Sequence, residues 1–112
     1  MISGAWLAIK LGVEPRALDA RRRAGELLAV PDESRTDFLY PVWQLGPDGR
    51  PLPAVARVVR AAREAGLDDT ELVDLLERRD GMTAGGGRLL DALREGRDDR
   101  IVDVIRKTRR DA

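Results

Sequence analysis

Glycine and proline punctuate this chain and divide it into a series of separate segments, most of them with an apolar pattern of their own. Proline lacks an amide proton and holds a fixed φ, while glycine weakens regular structure and tolerates positive φ. Each therefore marks a terminus or a turn. Between these breaks, Ala5 to Leu11 reads as a short helix with Trp6, Leu7 and Ile9 as its apolar residues, ended by Gly12-Val13. Glu14-Pro15 opens a second helix, because proline suits the first helical turn and an acid there complements the helix dipole. That helix runs to about Ala24 and stops at Gly25.

Leu27 to Val30 is apolar and strand-like, halted by Pro31. A polar loop to Asp37 leads into a second strand, Phe38 to Leu45, in which Pro41 argues for an edge position. Gly46-Pro47-Asp48-Gly49 is a turn. Beyond it the apolar period becomes helical. Val55, Val58, Val59 and Ala62 mark one helix, closed by Gly66. Leu72, Val73, Leu75 and Leu76 mark the next, with Asp68 and Glu71 in the spacing of a capping box. After the glycine-rich stretch from Asp80 to Gly87, Leu89, Leu90 and Leu93 form a short helix closed by Gly96. Asp98 or Asp99 caps the last helix, whose apolar residues are Ile101, Val102, Val104 and Ile105. The predicted fold class is mainly α with a short β-hairpin: a helix-turn-helix with a wing over residues 1–45, then a helical bundle over residues 46–112.

The 112 residues contain no cysteine and no histidine. The first absence rules out a disulfide framework and fits a reducing compartment. The second removes the commonest general base and metal ligand. No nucleophile–base set emerges from what is left, so no catalytic residue, metal site or cofactor is expected. The acidic doublets Asp68-Asp69 and Asp98-Asp99 stand at helix starts, where acids cap. Gly85-Gly86-Gly87 lacks the Lys-Ser or Lys-Thr of a phosphate loop. Tyr40 and Trp43 sit among apolar residues and are expected to pack rather than stack on bases. No apolar run approaches the roughly 20 residues of a spanning helix, and no basic-then-apolar leader opens the chain, so a cytoplasmic protein is expected.

Formal net charge is zero, yet its distribution is uneven: basic residues outnumber acidic ones towards both ends, and the middle is acidic to balance. Near the N-terminus the basic residues fall on the segment Trp6 to Gly25, whose spacing is that of a helix-turn-helix. Ala8 is small where the helices should cross, Gly12 permits the tight turn, and Val13 and Leu18 point into the core between them. Arg16, Asp19, Ala20, Arg22 and Arg23 then face outward on the second helix, which in this motif lies in the major groove. Arg16 is the candidate for base reading, since arginine bonds bidentately to guanine. Arg22 and Arg23 are candidate phosphate contacts.

Several pieces together resemble bacterial antitoxins of the Xre/MbcA/ParS type, the partners of RES-domain toxins. Leu11-Gly-Val-Glu-Pro-Arg-Ala-Leu18 through Gly25-Glu-Leu-Leu28 is similar to the short helix-turn-helix of one branch. Tyr40-Pro-Val-Trp-Gln-Leu45, followed by Gly49-Arg-Pro-Leu-Pro53, is similar to that branch's linker. Leu75 to Leu93, including Gly85-Gly-Gly-Arg88 and Leu90-Asp-Ala-Leu93, falls where the family has its central loop and next helix, and Asp98 to Ile105 matches its last helix. The resemblance covers nearly the whole chain. There are departures: Glu77 to Ala84 replaces a proline-containing loop, Leu75 or Leu76 stands where tryptophan is usual, and Leu89 stands where proline usually opens a helix.

This resemblance implies a type II antitoxin. The N-terminal half binds operator DNA and represses its own operon. The C-terminal half neutralises a RES-type toxin, blocking its active site with the last helix and tail. Arg88, Arg106, Lys107, Arg109 and Arg110 are the implied partner-binding residues. NAD is the toxin's substrate and not a ligand of this chain. A homodimer is expected, because such motifs read paired half-sites. The alternatives are a stand-alone helix-turn-helix regulator and a helical interaction module without a toxin partner.

Overall fold

The computed structural model describes residues 1–34, 37–78 and 88–110, the side chains of Arg109 and Arg110 excepted. It is mainly helical with a small antiparallel sheet. The element order is β1 (Ile2–Ser3), α1 (Gly4–Leu11), α2 (Pro15–Arg23), β2 (Val30–Pro31), β3 (Phe38–Tyr40), a 3-10 turn at Val42–Gln44, then α3 (Pro53–Glu64), α4 (Asp69–Glu77), α5 (Leu90–Arg94) and α6 (Asp98–Arg110).

The sheet differs from the expected hairpin in three ways. A third strand, β1, pairs with β3 through Ile2–Tyr40 and Ser3–Leu39. Two residues carry no readable periodicity, so sequence pattern could not mark it. The strand order is β1-β3-β2, which makes β3 central instead of an edge. Finally, β3 stops at Tyr40, and Pro41 leads into the 3-10 turn. A central strand needs amide protons on both sides, which proline cannot supply, so the strand ends before it.

Local chemistry sets the helix ends. Ser3 caps α1 by accepting from the Trp6 amide at 3.2 Å. Gly12 takes φ of 68° and lets Val13 bond back to the Ala8 carbonyl at 3.0 Å, closing the turn between the helices. Pro15 occupies the first turn of α2. At α4 the capping box forms: the Asp68 carboxylate accepts from the Glu71 amide at 2.8 Å, and Glu71 accepts from the Asp68 amide at 3.2 Å. Together these satisfy donors that a helix start leaves unpaired.

Buried side chains fall into two clusters. Leu7, Ala8, Leu18, Leu27, Ala29 and Tyr40 form the core under α1, α2 and the sheet. The larger cluster is built from Val55, Val58, Val59 and Ala62 of α3, Leu72, Val73 and Leu76 of α4, Leu90 and Leu93 of α5, and Ile101 and Ile105 of α6. The apolar stripes expected on α3, α4 and α6 supply most of it. Leu28, Val30 and Trp43, though from the first half, belong to or pack against this second cluster. On α1 the inward residues are Leu7 and Ala8, while Trp6 and Ile9 stay exposed at 50% and 82%. In eight residues the two stripes are easily exchanged, and the α1–α2 crossing selects the one that carries the small Ala8.

A buried glutamine joins the two halves. The Leu28 amide donates to Gln44 Oε1 at 2.7 Å, and Gln44 Nε2 donates to the Leu28 carbonyl at 2.8 Å. The carboxamide acts as a one-residue strand partner where the sheet has ended, so neither backbone group of Leu28 is left unpaired. Nearby, the Trp43 indole donates to Glu77 at 3.0 Å. Tyr40 is buried in the first cluster, and Trp43, half-buried, packs against the second.

Candidate nucleic-acid interface

Helix α2 presents one continuous exposed stripe: Arg16, Ala17, Ala20, Arg23 and Ala24. Leu18 on the opposite side is buried. The helix can take this pose because Gly12 turns the chain sharply and Leu18 anchors the first core. Alanine at 17, 20 and 24 keeps the stripe low between its two arginines. Arg16 and Arg23 are seven positions apart, about 10 Å along the axis. Neither guanidinium has an ion-pair partner among the described residues.

The other two candidates on α2 are placed differently. Arg22 turns inward: its guanidinium stacks on the Phe38 ring at 3.9 Å, and its side chain is only 16% exposed. It lies 3.8 Å from Asp19, and its Nε is buried without a hydrogen-bond partner among the described residues. Arg22 therefore ties α2 to the central strand of the sheet, and Asp19 balances its charge. Burial pushes the neighbouring Tyr40 hydroxyl above its ordinary range, against the opposing charge of Arg22. The structure thus brings Arg16 and Arg23 together on the outer stripe, and Arg22 and Asp19 together beneath it. The base of the wing is held by the Asp32 amide on the Asp37 carbonyl at 3.0 Å. Arg35, in the polar loop before Asp37, lies outside the described residues.

The C-terminal end of α2 is held by a residue that sequence reading missed. Arg63 of α3 donates to the Arg23 carbonyl at 2.8 Å and the Arg22 carbonyl at 3.0 Å. A cation on the last carbonyls complements the helix dipole. Gly25 makes this possible. It takes φ of 84°, and a Cβ there would sit 3.2 Å from Arg63 Nη1 and 3.3 Å from Val59 Cγ1. The one signal in the sequence is the spacing of Arg57, Arg60 and Arg63 on the polar side of α3.

Arg63 also lies 3.9 Å from Asp69. Burial raises the Asp69 carboxyl above its ordinary value, against the pull of Arg63 and of the Ala29 amide. A carboxyl raised in the folded state adds stability at acid pH, and that contribution is lost as pH rises through the folded value. Asp69→Asn keeps an oxygen for the Ala29 amide and does not titrate. Its stability relative to the parent is expected to be most favourable at neutral pH and to decline towards about pH 4. Denaturant melts of both proteins across that range measure this, and a variant that gains on the parent as pH falls would contradict it.

The C-terminal candidates are less assembled. Arg88 is exposed, with its amide on Asp91 at 3.2 Å at the start of α5. Arg106 and Lys107 are exposed on α6. No described contact joins Arg88 to either, and the side chains of Arg109 and Arg110 lie outside the described residues, as do Gly85-Gly86-Gly87. Among the described residues no cluster of acids could hold a metal ion. No described helix is long and apolar enough to cross a membrane.

No protein-family model matches this chain, and no curated protein matches it. The chain is similar to the NMR structure of Rv2175c, with a TM-score of 0.83, covering 96% of this chain and 79% of that one at 20% sequence identity. At that identity the likeness shows a shared fold.

Proposed function

We propose that this protein binds double-stranded DNA as a transcription regulator, inserting α2 into the major groove beside the three-stranded wing. The observation that carries this reading is the exposed Arg16–Ala20–Arg23 stripe on the second helix of a helix-turn-helix. Arginine reads guanine edges through paired hydrogen bonds, and low alanines let a helix seat closely against the bases. Arg16, near the start of α2, is the base reader, and Arg23, near its end, is a phosphate contact. Arg22 supports both by fixing the wing.

The test is operator selection from a random duplex pool, followed by binding of variants. Arg16→Ala is expected to lose about 1–3 kcal/mol on the selected site and to relax the preference at one position. Arg23→Ala is expected to weaken all duplexes alike and to reduce the salt dependence by about one charge. Arg22→Ala is expected to lower the melting temperature, an effect that the exposed pair would not show. Binding unchanged in both Arg16→Ala and Arg23→Ala would sink this face as the interface.

The finer reading is that of an autorepressing antitoxin, acting in the cytoplasm as a homodimer without catalysis or a cofactor. Its support is the whole-chain resemblance to antitoxins that partner RES-type toxins. Arg88, Arg106, Lys107, Arg109 and Arg110 then face the toxin. Co-expression with the product of the adjacent gene, a pull-down and a growth assay test it. A complex that restores growth supports the antitoxin role, and the absence of both complex and toxicity leaves a regulator of another operon. Light scattering that shows only monomer at micromolar concentration would remove the dimer.

A further inference from the structure

Helix α3 carries an exposed stripe with the same spacing as that of α2. On α2 it runs through 16, 17, 20, 23 and 24; on α3 it runs through Ala56, Arg57, Arg60, Arg63 and Glu64. The two stripes meet. Gly25 has no side chain, so Val59 and Arg63 close directly onto the end of α2. Ala24, Gly25, Arg57, Arg60, Arg63 and Glu64 line one open groove of about 400 Å³ between the helices.

The charges in this groove are unequally engaged. Arg63 is held by the α2 carbonyls and Asp69. Arg57 pairs with Asp98 at 3.2 Å while remaining largely exposed. Arg60 is exposed, and it has no ion-pair partner among the described residues. Among the described residues that line the groove, Glu64 is the single acid. Asp98 and Asp69 offset Arg57 and Arg63, so the positive excess over Glu64 comes from Arg60 together with Arg23 at the groove's edge, and it extends the α2 stripe into the C-terminal half. A low wall of Ala24, Gly25 and Ala56 leaves room for a chain of phosphates along it.

We propose that this groove holds the sugar-phosphate backbone of the duplex flanking the site read by α2, with Arg60 as its principal contact and Arg57 as a second. The C-terminal half then contributes to DNA affinity directly, independent of base sequence. This rests on the DNA-binding reading above. Phosphate contacts of this type position the protein and carry no sequence information.

Arg60 is exposed and forms no ion pair with a described residue, so its replacement should leave the fold intact, which circular dichroism checks. Salt titrations of fluorescence anisotropy with a labelled mixed-sequence duplex provide the test. Removing one arginine–phosphate pair reduces the slope of log K against log salt by about 0.9. Arg60→Ala is expected to lower the slope by about that much, Arg57→Ala/Arg60→Ala by about twice that, and Arg60→Lys by little, since an ammonium also pairs with phosphate. Glu64→Gln is expected to tighten binding several-fold, a gain that damage to the fold cannot produce. Base preference should stay unchanged in all four. If the parent binds duplex but Arg60→Ala and Glu64→Gln match it in slope and affinity, the groove does not touch DNA and the α2 reading stands. If the parent binds no duplex at any salt, the α2 reading fails and this inference with it.

Discussion

Gln44→Leu is expected to unfold this protein more readily than any surface change. Leucine is comparable in bulk to glutamine, though it branches one carbon earlier, and it adds apolar surface to a sealed site. It cannot, however, accept from the Leu28 amide or donate to its carbonyl. A buried backbone group left unpaired costs about 1–3 kcal/mol, and two are exposed to that cost here. The leucine's own transfer from water offsets part of it. A net loss of about 2–4 kcal/mol follows, which in a chain of this size lowers the melting temperature by roughly 10 °C or more. Gln44→Glu separates the two bonds. A carboxylate still accepts from the amide but presents an acceptor to the carbonyl, inside the core. That variant should be worst at neutral pH and recover on acidification, when a protonated carboxyl can donate. Thermal melts at two pH values follow both. A Gln44→Leu protein that melts with the parent would show that water enters the site and pairs with Leu28.

Gly25→Val is the second large effect, and it acts on both halves at once. The backbone there has φ of 84°, which a β-branched residue adopts only under strain of about 1–2 kcal/mol. The added Cβ would also meet Val59 and Arg63 at little more than 3 Å. Overpacking of this kind costs about 1–3 kcal/mol. Moving Arg63 away removes the donors from the last carbonyls of α2. The two costs together predict destabilisation of about 3 kcal/mol, with amide exchange at the end of α2 rising more than elsewhere. Gly25→Ala should show a smaller version of the same pattern. Equal protection of α2 in parent and variant would mean that Arg63 does not hold the helix end.

These two residues show why part of the site escaped sequence reading. Gly25 was legible as a helix stop, because glycine at that position is a local matter of φ. That it also admits Arg63 is not local: Arg63 bonds a carbonyl 40 positions earlier in the chain. Gln44 had no apolar period or charge to mark it, and its role emerges only when Leu28 is brought opposite. Arg22 is the reverse case. Its spacing on α2 puts it near the outer face, and Phe38, on the central strand, draws it inward.

The amino-acid sequence by itself determined where most elements begin and end, because capping, proline, glycine φ and the helical period act within a few residues. It determined the apolar stripes of α3, α4 and α6, the tight turn at Gly12, and the exposure of Arg16 and Arg23. Tertiary structure alone decided the rest. It left Trp6 and Ile9 of α1 exposed while Leu7 joined Ala8 in the core, and it set β3 at the centre of a three-stranded sheet. It gave Arg22 to the wing and Arg63 to the end of α2, and it joined the α2 and α3 stripes. Each of these depends on contacts between residues distant in the chain, whose geometry no local pattern encodes.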